Sequence, residues 1–351
     1  MLLALLVAGG LYAIASGHHK APGVVFPTEP SIVAANTTST TRPPVTTTST
    51  SSTTTSTTVK PPPPGDPTYA VSVSVFTLSE PGKYLCAPHG VASGCIVRSM
   101  PLYVFFPAVG SAGEVLSNAA PDRSAGAFPL IVFGNGYLEG VTGYSDLLNY
   151  WASRGYIVVA PQFPLSQVDS VGGPWEADIL NQPGDLSAAI SFMMAQNAAS
   201  SSTFYRLINT GAIAVVGQSD GADDALAVGY NTCCTDQRVK AVISLSGAEL
   251  TSFPGKYFTV AGPPLLVVQG TDDEINLPSD SQTVFDAAHP PKYYLSLLGA
   301  DHLEGYQGDN PYSNVVQGVT TAFLDYYLKG QPGAVSVMYK AGNVAGTAQL
   351  S

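Results

Sequence analysis

This chain is short of charge. It has 14 Lys and Arg and 25 Asp and Glu among 351 residues, 11% in all, so no run of like charge marks an interaction arm. The balance is acidic, with a net charge of −11 and a pI near 4.7. A surface of that sign argues against nucleic acid and against anionic lipid as partners. Cysteine and histidine are scarce, at four and five residues. No paired C-x-x-C and no H-x-x-x-H spacing occurs, which removes the common zinc arrangements, and no metal or cofactor is expected. Long apolar runs are also missing. The opening Met1-Leu-Leu-Ala-Leu-Leu-Val-Ala stretch stops at about Ser16, short of the roughly 20 residues a spanning helix needs.

That first segment, residues 1–17, fits a secretory signal peptide or a signal anchor. Small residues (Ala13, Ala15, Ser16) stand near a cleavage point, although a basic start is lacking. No cysteine is close enough for a lipoprotein anchor. Residues 18–68 follow, dominated from about Pro27 by Thr, Ser and Pro. They have too little apolar surface to offset the entropy of ordering, so an extended, disordered stalk is expected. Roughly 40 residues at about 3.1 Å each would reach about 120 Å at full polyproline extension. Both features place the chain outside the cytoplasm, secreted or tethered to membrane or cell surface through its N-terminus. An exported chain with four cysteines is expected to form disulfides. Four cysteines allow three pairings. Cys86 and Cys95 bracket a Gly/Pro loop and are the favoured pair; the adjacent Cys233 and Cys234 could bridge each other, pair elsewhere or stay reduced.

Residues 69–330 supply enough length for one large α/β domain, with 331–351 left as a Gly/Pro-punctuated tail. Strand-like runs at 69–78 and 100–106 suggest an antiparallel start. Then the pattern alternates: strands at 129–133, 156–160, 213–218, 239–245, 264–269 and 293–298, with helical spacers at 145–154, 185–195, 220–230, from 279, and 313–328. Asp185 is placed as an N-cap. Continuous Val/Ile/Leu runs separated by helices predict a doubly wound, mostly parallel sheet of about eight strands. Ligands in such sheets bind at the carboxyl ends of the strands.

One of those ends carries Gly217-x-Ser219-x-Gly221, between an apolar run and an Ala-rich helical stretch. This is the setting of a nucleophilic serine on a sharp strand-to-helix turn. Such a serine needs a base that an acid orients, in the chain order Ser, Asp or Glu, His. Four of the five histidines are badly placed: His18 and His19 adjoin the export segment, His89 lies upstream, and His289 precedes a proline before a strand. His302, on the loop after the last strand, remains as the base. The acid should end the preceding strand, where Gly270-Thr-Asp-Asp-Glu offers three carboxylates; the spacing favours Asp273 over Asp272. Asp301 is expected to shape a turn. Backbone N–H groups of Asp220 and Tyr137 are the candidate oxyanion donors, the latter on the loop Gly134-Asn-Gly-Tyr137. Asp220, Asp223 and Asp224 bring acid close to a site that develops negative charge, so their side chains are expected to point away and complement the helix N-terminus.

With these motifs in order, the chain resembles the α/β-hydrolase superfamily over about residues 69–330, closest to its lidless branch of dienelactone hydrolases, chlorophyllases and cutinase-like polyester hydrolases. The motifs are Phe133-Gly-Asn-Gly-Tyr137, Gly217-Gln-Ser-Asp-Gly221, Gly270-Thr-Asp-Asp273 and Gly299-Ala-Asp-His302. The resemblance implies an eight-stranded sheet, no cofactor and ester hydrolysis through an acyl-enzyme, with Ser219, His302 and Asp273 as the triad. It also makes Tyr137 the aromatic that clamps acyl groups. The chain departs from the polyester enzymes where they place Met and Trp; here stand Asp220 and Leu245-Ser-Gly-Ala. Trp175 is a candidate substitute clamp, with a buried packing role as its alternative. The leading expectation is therefore an exported, monomeric serine carboxylesterase acting on small or polymeric esters, polyester hydrolysis being a narrower version. A peptidase or acyltransferase, or a non-catalytic binding protein on this fold, are the readings of other classes.

Overall fold

The computed structural model describes residues 68–351. The expected export segment and nearly all of the expected stalk, residues 1–67, lie outside the described residues. In chain order the strands are β1 (Ala70–Cys86), β2 (Cys95–Ala108), β3 (Val115–Ser117), β4 (Phe128–Gly134), β5 (Ile157–Pro161), β6 (Ile208–Gln218), β7 (Ala241–Leu245), β8 (Leu265–Gly270), β9 (Lys292–Leu297) and β10 (Ala348–Leu350). The helices are α1 (Ser145–Ser153), α2 (Gln182–Ala198), α3 (Asp220–Tyr230), α4 (Pro278–Ala287), α5 (Pro311–Lys329) and α6 (Ala334–Gly342).

All ten strands join one sheet in the order β10-β9-β8-β7-β6-β4-β5-β2-β1-β3. The six strands from β4 to β9 are parallel. β1 and β2 form an antiparallel hairpin at one side, and β10 runs antiparallel to β9 at the other. Successive residues of the parallel strands face opposite layers, so each strand is apolar throughout. Phe133, Ala214, Val216 and Ile243 pack under α1, α5 and α6. Leu130, Val132, Ile213, Val215 and Val242 pack under α2, α3 and α4. The expected doubly wound, mostly parallel architecture is present, and it is that of an α/β-hydrolase. Strand order reverses between β4 and β6, whose ends lie side by side through the pair Gly134 and Gly217. A reversal of this kind opens a crevice at the carboxyl ends.

Three details correct the sequence reading. The sheet has ten strands rather than eight, partly because the expected tail is structured: Gly330 (φ +64°) closes α5, α6 follows, and β10 pairs with β9. Met338 and Leu350 are buried there because they complete the apolar layer above β9. The first two strands run well past the predicted 69–78 and 100–106, since their ends pair with each other in an arm closed by a Cys86–Cys95 disulfide. Asp185 is not an N-cap. Helix α2 begins three residues earlier at Gln182, with Pro183 in its first turn, and the Asp185 carboxylate is buried against Arg98. A second disulfide joins Cys233 to Cys234.

Candidate active site

The turn from β6 into α3 is dictated by contact distances. Ser219 has φ +55° and ψ −126°, a conformation that costs a side-chain-bearing residue of order 1–3 kcal/mol. Its backbone N–H donates to the Leu245 carbonyl at 3.0 Å. A Cβ on Gly217 would lie 1.8 Å from the Gly221 carbonyl oxygen, and one on Gly221 would lie 2.1 Å from that of Gly134. Both flanking glycines are therefore required for strand and helix to pass.

Asp273 follows β8, and every face of its carboxylate is engaged. Oδ1 accepts from the backbone N–H groups of Ile275 and Asn276, each at 3.0 Å. Oδ2 accepts from Gln269 Nε2 at 3.0 Å and from His302 Nδ1 at 2.8 Å. Burial pushes this carboxyl up, but the hydrogen bond and charge of His302 and the N–H donors outweigh it, and the net direction is below the ordinary value. Asp272 instead contacts Thr271 at the surface. Asp301 accepts from the N–H groups of Leu303 and Glu304, as a turn residue should. His302 thus presents Nδ1 to Asp273 and Nε2 toward the elbow, where Nε2 lies 3.2 Å from the side chain of Gln218. Among the described residues no hydrogen bond joins Ser219 Oγ to that ring. Ser219 and His302 are nearly buried, at 9% and 8% exposure.

The loop after β4 lies against the serine. A Cβ on Gly136 would be 3.1 Å from Ser219 Cβ and 2.7 Å from Gln218 Oε1, so the glycine permits this approach. Of the candidate oxyanion donors, Tyr137 follows Gly136 on that loop and Asp220 follows the serine as the first residue of α3. Trp175 is 42% exposed, so the buried packing alternative does not apply. It stacks on His89 with ring centroids 4.4 Å apart, and its neighbour Glu176 meets the Tyr137 phenol.

The acidic residues do not simply point away. Asp223 is buried and accepts from the Ala248 N–H at 2.6 Å, while Asp224 is fully buried with both oxygens lacking a hydrogen-bond partner among the described residues. Burial pushes both carboxyls well above the carboxylate range. Burial, with the Glu176 charge adding to it, pushes Asp220 up to about 7 against the opposing effect of His302. Burial thus disfavours the charged form of all three acids at the start of α3, which lessens the expected conflict with a developing oxyanion. Two further residues had no signal in the sequence. Gln218 bridges Tyr144 and His302. Arg98 holds Asp178 in a paired contact at 2.8 Å and reaches Asp185, fixing the segment that follows Trp175.

Residues 108–252 match the sequence model of the Chlorophyllase family. That span contains the Tyr137 loop and the elbow, and ends before Asp273 and His302. Chlorophyllase-1 of Arabidopsis thaliana is 29% identical over 154 residues, 44% of this chain and 44% of that protein. The chain therefore matches less than half the length of this curated relative. The sheet and the elbow are consistent with an α/β-hydrolase fold, and residues 108–252 within it are similar to the chlorophyllases.

Proposed function

We propose that the protein is a serine hydrolase of carboxylic esters. His302 Nε2 takes the proton of Ser219 Oγ as that oxygen attacks the ester carbonyl. Asp273 holds Nδ1–H and stabilises the imidazolium that forms. The N–H groups of Tyr137 and Asp220 donate to the oxyanion, each donor worth about 3–4 kcal/mol. The imidazolium then passes its proton to the leaving alkoxide, and water repeats the sequence on the acyl-enzyme. The reading rests on one observation above others: the 2.8 Å hydrogen bond between His302 Nδ1 and Asp273, beside a serine held at φ +55°. The match to chlorophyllases supports an esterase over a peptidase. An extracytoplasmic location belongs to the same proposal and is supported by the two disulfides.

A polymeric or long-chain ester is the narrower reading. Leu138, Trp175 and Ile275 are 47%, 42% and 69% exposed on the three loops that follow β4, β5 and β8, an apolar rim suited to such a substrate. Release of acids from a polyester film, compared with turnover of soluble short-chain esters, separates the two.

Turnover of a p-nitrophenyl ester by the wild type, Ser219→Ala and His302→Ala tests the class. Loss of either side chain should lower kcat on the order of 10⁶-fold. Ester turnover by Ser219→Ala equal to the wild type would overturn the proposal.

A further inference from the structure

We infer that Gln218 is a positioning residue of this site: its side-chain amide holds His302 as a base and ties it to the loop that carries Tyr137. The inference rests on the serine-hydrolase reading and extends it to a residue that contacts no substrate atom.

The orientation of the amide is fixed by its partners. The His302 carbonyl can only accept, so Gln218 Nε2 faces it, at 3.1 Å. Oε1 then faces the Tyr144 phenol, which donates to it at 2.7 Å. That phenol in turn accepts from the Gly136 N–H at 3.3 Å. The second amide hydrogen of Gln218 points at His302 Nε2, 3.2 Å away. Because Nδ1–H is given to Asp273, Nε2 carries the lone pair and accepts. One chain of hydrogen bonds thus runs from the oxyanion loop, through Tyr144 and Gln218, to the base.

The network has no slack. Tyr144 and Gln218 are fully buried, and even a Cβ on Gly136 would lie 2.7 Å from Gln218 Oε1 and 3.3 Å from the Tyr144 hydroxyl. His302 itself sits on an irregular loop between β9 and α5, so its ring is fixed by side-chain bonds rather than by helix or sheet. Gln218 supplies one of them, at Nε2, and anchors the loop through a second bond to the His302 backbone carbonyl. It also occupies the lone pair that Ser219 Oγ–H must reach, so the resting ring is parked in the base tautomer and released when the hydroxyl displaces the amide. A side chain that only filled space would need neither donor.

Gln218→Met keeps the volume and removes both donors and the acceptor. Tyr144→Phe keeps Gln218 but frees its Oε1, so that the amide is no longer held toward His302. The measurements are kcat and KM for a p-nitrophenyl ester, and the ¹⁵N resonance of His302 Nε2 in the labelled full chain. A misplaced base should lower kcat about 10²-fold in Gln218→Met with KM within about twofold. Its Nε2 resonance should move to that of an imidazole nitrogen without a donor. Tyr144→Phe should shift both readouts in the same direction, with a loss of about tenfold, and carries the test alone if Gln218→Met does not fold. A folded variant whose Nε2 resonance is unchanged, or whose kcat stays within about twofold of wild type, overturns the inference. The resonance needs no ester turnover. A wild type that hydrolyses no ester would end the hydrolase reading and leave the amide–imidazole contact separately measurable.

Discussion

Ser219 is held in a left-handed conformation because nothing else lets its side chain stand at the junction of β6 and α3. The strain is offset locally by its N–H bond to Leu245 and by the glycines on either side. Five residues along, Asp224 is a buried carboxyl group with no hydrogen-bond partner among the described residues. Burial raises its pKa in the folded chain above the unfolded value of about 3.9. Between those two values the folded state binds more protons than the unfolded one, so the stability this group permits is present below about pH 4 and is lost as pH rises. Asp224→Asn should therefore raise Tm at pH 8 and leave it nearly unchanged at pH 4, as thermal melts at the two pH values would register. Equal shifts at both would contradict a buried, protonated acid. At this scale the sequence exposes what is local. Ser219, Asp273 and His302 each follow a strand end at a readable distance, and the geometry brings the last two into contact. Gln218, Tyr144 and Arg98 are unreadable in the chain because each owes its importance to partners more than 70 residues away.

Elements in the centre of the sheet are legible because both faces of β4 to β8 are buried, and a buried parallel strand leaves a continuous apolar run. The periphery is less so. The outer arm of β1 and β2 is largely exposed and is held by pairing and a disulfide rather than by core burial. Helix α6 and β10 hide behind Gly330, Pro332 and Gly333, which read as chain termination yet only turn the chain back onto β9. Between the arm and α2 lies the Arg98 cluster, where the buried guanidinium bridges Asp178 and Asp185, with Glu80 and Lys83 at its edge. Arg98→Met would leave Asp178 and Asp185 buried without the cation they share, at a cost of about 3–5 kcal/mol. Chemical denaturation should show that loss, together with a raised KM if the Trp175 segment loosens. A loss under about 1 kcal/mol would mean that the cluster is solvated and carries little.

The whole molecule is one sheet with helices on both faces, and its C-terminus is part of that body. A chain ending at Gly330 loses the burial of Met338, Ala341 and Leu350 against β9 and α5. Truncation there should lower Tm by at least about 5 °C, read by differential scanning calorimetry; an unchanged Tm would show that α6 and β10 only decorate the edge. The site depends on the same assembly, since its parts come from the ends of β4, β6, β8 and β9, and only the packed sheet makes them neighbours. The most direct measurement of the central claim is peptide mapping after reaction with a fluorophosphonate, which needs an activated hydroxyl and no chosen substrate. The adduct should sit on Ser219 alone, and labelling should fall at least about 10²-fold in His302→Ala, the minimum contribution of a positioned base. Phosphonate on another residue, or Ser219 labelled at the same rate without His302, would contradict a serine activated by this histidine.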